Sequence, residues 1–160
     1  MRKEPVLQDV QNTSKQITPF VHRTPVLTSQ SVNSIIDGEV FFKCENFQKT
    51  GSFKMRGASN AVLSLSEEES KRGVVTVSSG NHGAALACAA KLNGMKSHVV
   101  TPKNTQQVKI DAMKGYGANL IYCEPSVESR ESTFINILGG LVKKNSGEIT
   151  ICGINTDENP

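Results

Sequence analysis

The sequence predicts an α/β domain, a parallel β-sheet with helices on both faces. Three observations predict it. From Gly73 onward, short apolar runs alternate with segments of helical periodicity. The runs at 74–77, 97–101 and 119–123 are of strand length and are bounded by Gly, Pro and Asn signals. The helix between the first two is apolar nearly all round over residues 84–90, so it must be packed on more than one side. Strands separated by helices pair in parallel, with right-handed crossovers.

Taken in order, residues 7–20 pattern as an amphipathic helix ended near Pro19. Thr24-Pro25-Val26-Leu27 is extended, and Thr28 or Ser29 caps a short helix through Ile36, closed by an Asp37-Gly38 turn. Residues 40–45 read as a strand. Gly51-Ser52 precede a helix over 53–65, with Ala58, Ala61, Val62 and Leu65 at helical spacing. The charged run Glu67–Arg72 reads either as a hinge between two lobes or as a solvated helix end. Strand 74–77 leads to a helix over 81–92, stopped by Gly94. Further helices are expected over 105–114 and from Val127, and a last short strand over 148–152. Internal repeats and low-complexity tracts are absent.

The chain has 160 residues and a formal charge of +3, with basic residues scattered among acidic ones. No basic stripe carries interleaved aromatics, which argues against a nucleic-acid partner. The mild positive charge fits solubility and fits a liking for anions, and does not choose between them. The four cysteines, Cys44, Cys88, Cys123 and Cys152, form no C-x-x-C pair, and three lie in apolar runs. A reduced, intracellular protein is the expectation. No apolar stretch follows the first residues as in a signal peptide, and no run has the length of a membrane span, so a cytoplasmic setting is expected. No residue is assigned to a metal.

Two constellations carry chemistry. In Gly51-Ser52-Phe53-Lys54-Met55-Arg56-Gly57 a lysine stands at a helix start. The positive end of the helix dipole disfavours an ammonium there, as does partial desolvation. Both favour the neutral amine that Schiff-base chemistry requires. Ser52 is placed to cap the helix, and Gly51 and Gly57 permit close backbone approach. The plain alternative is an ordinary surface lysine. In Ser78-Ser79-Gly80-Asn81-His82-Gly83 a small polar loop joins a buried strand to a helix. Free amides and hydroxyls gather there, at the carboxyl end of a parallel strand, which suits an anion. The plain alternative is a capped glycine turn.

The order and spacing of these two constellations resemble those of pyridoxal-phosphate (PLP) enzymes of the serine racemase and threonine dehydratase family. The run Phe42-Lys43-Cys44-Glu45-Asn46-Phe47-Gln48-Lys49-Thr50-Gly51-Ser52-Phe53-Lys54 is similar to that family's PLP-lysine motif, and Ser78-Ser79-Gly80-Asn81-His82-Gly83 to its substrate-carboxylate loop. Tyr116-Gly117-Ala118 and Tyr122-Cys123-Glu124-Pro125-Ser126 resemble the serine racemase branch. Cysteine synthases tend to carry Thr where His82 stands. The resemblance covers residues 24–133 and implies PLP fold type II, the tryptophan synthase β-like fold. It implies that Lys54 carries the cofactor and acts as a base at the substrate α-carbon. Phe53 would pack beside the pyridine ring, and Asn81 would bond the cofactor's phenolic oxygen. Ser78, Ser79, Asn81 and His82 would line the site for the carboxylate of L-serine or L-threonine. Ser79 would serve as a second proton donor on the opposite face, as racemisation requires, while loss of the β-hydroxyl gives α,β-elimination. The family homodimer and an ATP site with magnesium are implied too. Lys49, Thr50 and Tyr116 match ATP positions, whereas Ala84 stands where a nucleotide-binding glutamine is usual.

The resemblance further divides the chain into 1–72, the first part of a large PLP-binding domain, 73–151, a small α/β domain, and 152–160, a divergent tail returning toward the large domain. The family's glycine-rich phosphate loop and divalent-metal residues have no counterpart here, and Gly139-Gly140 is no substitute. The chain therefore reads as a truncated, N-terminal half. Its function reads as PLP-dependent racemisation and dehydration. The alternative is an inactive short form acting by association with a full-length homologue.

Overall fold

The computed structural model describes residues 4–138, 150–151 and 154–155. The first helix, α1 (Leu7–Ile17), stops earlier than its pattern predicts, and Thr18–Phe20 form a tighter 3-10 turn. Pro19 has no N–H with which to continue the helix. Strand β1 (Val26–Leu27) pairs antiparallel with β2 (Phe42–Lys43), and between them α2 (Gln30–Ile36) is capped by Ser29, whose hydroxyl accepts from the Val32 amide. Asp37 closes α2 in the left-handed conformation at φ 51°. The strand expected over 40–45 is only two residues long, because Glu45–Phe47 turn into a 3-10 helix. This ribbon leaves Val26, Leu27, Phe41 and Phe42 exposed.

Helix α3 (Lys54–Leu63) is followed by α4 (Glu67–Arg72), so the charged run is helical. Ser66 and Glu69 form its capping box, its acidic residues fill the first turn and its basic ones the last. Gly73 then takes φ 84°, where a Cβ would stand 2.6 Å from the Lys96 carbonyl oxygen.

The expected alternation follows. Strands β3 (Val74–Val77), β4 (Ser97–Pro102) and β5 (Ala118–Cys123) form a parallel sheet in the order β3-β4-β5. Helices α5 (Asn81–Leu92), α6 (Gln107–Gly115) and α7 (Val127–Leu138) connect and cover it. Every residue of the central strand β4 is buried. Its side chains alternate between two cores, as strand geometry requires. Val99 packs with Ala84 of α5 and Met113 of α6, while Val100 packs with Cys123 and with Ile137 of α7. Helices therefore cover both faces. Of the last strand expected over 148–152, Thr150–Ile151 (β6) is described, and it pairs antiparallel with Ile154–Asn155 (β7), not with the parallel sheet. Gly139-Gly140, Cys152 and most of the 152–160 tail lie outside the described residues.

One glycine fixes how closely α5 approaches the sheet. A Cβ at Gly83 would lie 2.8 Å from the Met113 sulfur, 3.0 Å from Val99 Cγ1 and 3.1 Å from the Ser78 Cβ. Gly83→Ala is expected to destabilise the fold by about 1–3 kcal/mol through overpacking. Urea unfolding checks this, and the Gly94→Ala comparison tests backbone strain alone, since Gly94 has φ 69° and no neighbour within 4 Å of a Cβ.

Candidate active site

The placement of Lys54 starts before its helix. Thr50 and Gly51 both adopt positive φ, 63° and 70°. Glycine takes that conformation freely, but a β-branched residue is strained there, a condition that clusters at functional sites. After this reversal Ser52 is extended and α3 begins, with Lys54 as its first helical residue. The Lys54 ammonium lies 5.1 Å from the centre of the Phe53 ring, in cation–π range. Phe53 itself is 60 % exposed, which presents an aromatic surface beside the amine.

Two expectations for this segment need correcting. Ser52 does not cap α3: the capping position belongs to Phe53, and the Ser52 hydroxyl, like that of Thr50, is buried without a hydrogen-bond partner among the described residues. Ser52 sits one residue too early in the turn, so its side chain goes inward. Gly57 meets nothing within 4 Å of a Cβ, and Gly51 is required for its φ, not for close approach. Of the glycines in the two constellations, the one that close approach requires is Gly83.

A side-chain network ties the start of α3 to the preceding loops. Arg56, in the first turn, grips Glu45 with two prongs of its fork, Nε to Oε2 at 2.9 Å and Nη2 to Oε1 at 2.7 Å. Such bidentate charge-assisted bonds are among the strongest available. The buried Thr24 hydroxyl donates to Glu45 Oε1 at 2.5 Å, and Arg56 also reaches the His22 carbonyl at 3.3 Å. The buried Gln48 side chain holds both the amide and the carbonyl of His22, at 2.7 and 2.8 Å. Donation from Arg56 is the main reason that Glu45 is lowered from 4.5 to about 2. Burial opposes it, while the Thr24 hydrogen bond and the charges of Arg56 and Lys43 add to it.

The second constellation forms the turn from β3 into α5, at the carboxyl edge of the sheet. Ser78 is not a free hydroxyl. Its Oγ accepts from the amides of Gly80 at 3.2 Å and Gly83 at 2.9 Å, which shapes the loop and caps α5 from two residues before the helix boundary. Ser79, Asn81 and His82 are exposed. Asn81 and His82 occupy the first two positions of α5, where amides have no intrahelical partners.

Helices α3 and α5 bring the two constellations together. Met55, Ala58 and Val62 pack against Ala85, Leu86, Cys88 and Ala89 in one core. Thr50 and Gly51, just before α3, and Gly80 and Asn81, at the start of α5, line one cleft, so both helix starts lie on the same side. Partial burial lowers the His82 imidazole below its usual 6.5, and the nearby Lys54 charge pushes the same way. Of the three positions matched to a nucleotide, Thr50 and Tyr116 line a cleft of about 300 Å³ with Gly51, Gly80, Asn81 and Lys109, whereas Lys49 is not part of its wall. Ala84 also lines this cleft and offers only a methyl group. Sequence reasoning missed the Glu45–Arg56–Thr24–Gln48 network. Its one available signal was a pair of opposite charges flanking the lysine motif.

An amine beside an exposed aromatic ring and an open helix start suit an aromatic aldehyde bearing hydrogen-bonding groups. The chain belongs to the family of pyridoxal-phosphate dependent enzymes, whose profile matches residues 17–156. Within that family it is 52 % identical to a serine racemase of Dictyostelium discoideum, over 79 % of this chain and 39 % of the relative. The structure of maize serine racemase superposes with a TM-score of 0.79 at 45 % identity, covering 82 % of this chain and 40 % of that one. The structure of a T.th. threonine deaminase gives 0.74 at 36 % identity, covering 85 % and 43 %. The chain spans about two-fifths of the length of these relatives. The resemblance read from the two motifs is thereby borne out, as is the PLP fold type II.

Two measurements check the site's electrostatics. Because the folded-state value of Glu45 is depressed, its stabilisation is complete above 4.5 and is lost as pH falls from 4.5 toward 2. Arg56→Met is expected to cost about 1–3 kcal/mol at neutral pH and less at pH ~3, read by urea unfolding at both. In an NMR titration the His82 midpoint should fall below 6.5, and Lys54→Met should move it upward. A midpoint indifferent to Lys54 would separate the two constellations.

Proposed function

We propose that this chain supplies the lysine-bearing part of a PLP-dependent amino-acid racemase and dehydratase site, with L-serine or L-threonine as substrate. The observation that supports the reading is the packing of α3 on α5 together with the cleft shared by Thr50 and Gly51, before α3, and Gly80 and Asn81, at the start of α5. The names of the relatives, serine racemase and threonine deaminase, support the substrate class.

When bound, pyridoxal phosphate supplies the electron sink that acidifies the substrate α-C–H bond. In this reading the Lys54 amine holds the cofactor and exchanges the α-proton on one face. The Phe53 ring packs beside the pyridine, and the Asn81 amide donates to the cofactor's phenolic oxygen. Ser79, Asn81, His82 and the amides opening α5 hold the substrate carboxylate, since a helix N-terminus favours an anion. Ser78 contributes by shaping that loop, its hydroxyl being engaged by Gly80 and Gly83. A neutral His82 donates a hydrogen bond there. The Ser79 hydroxyl exchanges the proton on the opposite face, and that second face makes racemisation achievable. Departure of the β-hydroxyl instead gives dehydration. Homodimer formation, a cytoplasmic setting and the division at 72/73 belong to the same reading. The cleft at Thr50 and Tyr116 is where ATP would sit, with Ala84 weakening its hold on the base. Among the described residues no group of three or more His, Cys, Asp or Glu is placed to hold a metal ion. A second reading, docking on a longer relative, is favoured by the exposed apolar ribbon of Val26, Leu27, Phe41 and Phe42.

Borohydride reduction in the presence of pyridoxal phosphate, followed by peptide mapping, should place the pyridoxyl group on Lys54; labelling that spares Lys54 would defeat the reading. With this chain joined to the part of a serine racemase fold that it does not span, Ser79→Ala should abolish racemisation of L-serine and keep much of its dehydration. Equal loss of both would remove Ser79 from the opposite face.

A further inference from the structure

A second cleft lies away from the 78–83 loop, between α1, the extended segment before β1, β2 and the first turn of α3. It has a volume of about 440 Å³ and is lined by Ser14, Thr18, His22, Arg23, Lys43 and Arg56, with Val21 as its apolar member. Small-molecule sites occupy roughly 300–1,000 Å³, so the space is large enough for a metabolite.

The lining carries three permanent cations, and among the described residues the carboxylate paired with them is Glu45, through Arg56. The network described above leaves donors over. Arg56 spends Nε and Nη2 on Glu45, Thr24 and His22, which leaves its Nη1 for a ligand. Lys43 spends one N–H on the Thr24 carbonyl at 2.7 Å, and two remain. His22 donates from Nδ1 to the Phe47 carbonyl at 3.1 Å, so Nε2 of the neutral ring is an acceptor, suited to a phosphate hydroxyl. Arg23 is exposed and makes no hydrogen bond or ion pair with the described residues. The Thr18 hydroxyl donates to the Ser14 carbonyl and keeps its acceptor side.

We propose that this cleft binds the phosphate group of a small phosphorylated molecule. Three cations against one carboxylate leave a surplus of two positive charges, which complements the near −2 charge of a phosphate at neutral pH. Two guanidinium forks and an ammonium also offer more donors than one carboxylate has acceptor sites for, and Arg is the residue suited to bidentate phosphate recognition. Hydrogen bonding from Arg56 is the main reason that Glu45 stays ionised down to about 2, and the charges of Arg56 and Lys43 add to it. The site does not rest on the PLP reading: none of its lining residues belongs to the lysine and loop constellation except Arg56, whose role there is to anchor α3.

The test is isothermal titration calorimetry of the full chain with inorganic phosphate, repeated with malonate as a dicarboxylate. The expected result is saturable phosphate binding that Arg23→Ala weakens about tenfold or more, the loss of one charged hydrogen-bonding partner. Arg23 is exposed and makes no bond to the described residues, so this variant keeps the fold. Lys114→Ala, which removes an exposed cation of α6 outside this cleft, should leave phosphate affinity unchanged. No saturable heat with phosphate, equal affinity in Arg23→Ala, loss of binding in Lys114→Ala, or tighter binding of malonate than of phosphate would each overturn the proposal.

Discussion

Helices α3 and α5 meet through small side chains, Ala58 on one and Ala85 and Ala89 on the other, with Met55 wholly buried in the same cluster. Small residues let the two backbones come close, and the position of every candidate catalytic group follows from that approach. Lys54 stands at the start of one helix and His82 at the start of the other, so sliding α3 along α5 by a single turn would carry the lysine about 5.4 Å along the axis. Gly83 enforces the third side of the arrangement by keeping α5 tight against Val99 of the sheet. A side chain there would move the loop that carries Ser79 and Asn81.

The strain at Thr50 belongs to the same construction. A β-branched residue at φ 63° persists only where its surroundings over-determine it. Here the surroundings are the Gln48 clamp on His22 just before it and the Arg56–Glu45 fork just after it. These hold the chain on both sides of the reversal, so the turn into α3 is fixed before any ligand arrives. The hydroxyls of Thr50 and Ser52, buried without a partner among the described residues, lie inside this clamped segment.

From Gly73 to Leu138 the fold was legible because periodicity and punctuation agree: each strand is a short β-branched or apolar run, and each helix starts and stops at recognisable residues. The loop at the carboxyl edge of β3 was legible for the same reason. Before Gly73 the reading was poorer. The strand over 40–45 shortened because Glu45 is drawn to Arg56, eleven positions later, and no local pattern encodes that bond. Ser52 looked like a cap because serine caps helices often, but the helix boundary lies one residue on. Ser78 looked like a ligand-binding hydroxyl, and only the folded loop reveals that two of its own amides occupy it. Gly57 and Gly83 look alike in sequence, and only packing separates an open position from a crowded one.

The central claim is that the group carried by Lys54 faces the loop opening α5. The Asn81 side-chain amide reports on that most directly, through its NMR chemical shift during titration with pyridoxal phosphate. The account predicts a saturable shift of Asn81 in the wild-type chain that disappears in Lys54→Ala. An Asn81 resonance that stays in place while Lys54 is modified, or that moves equally in Lys54→Ala, would contradict it.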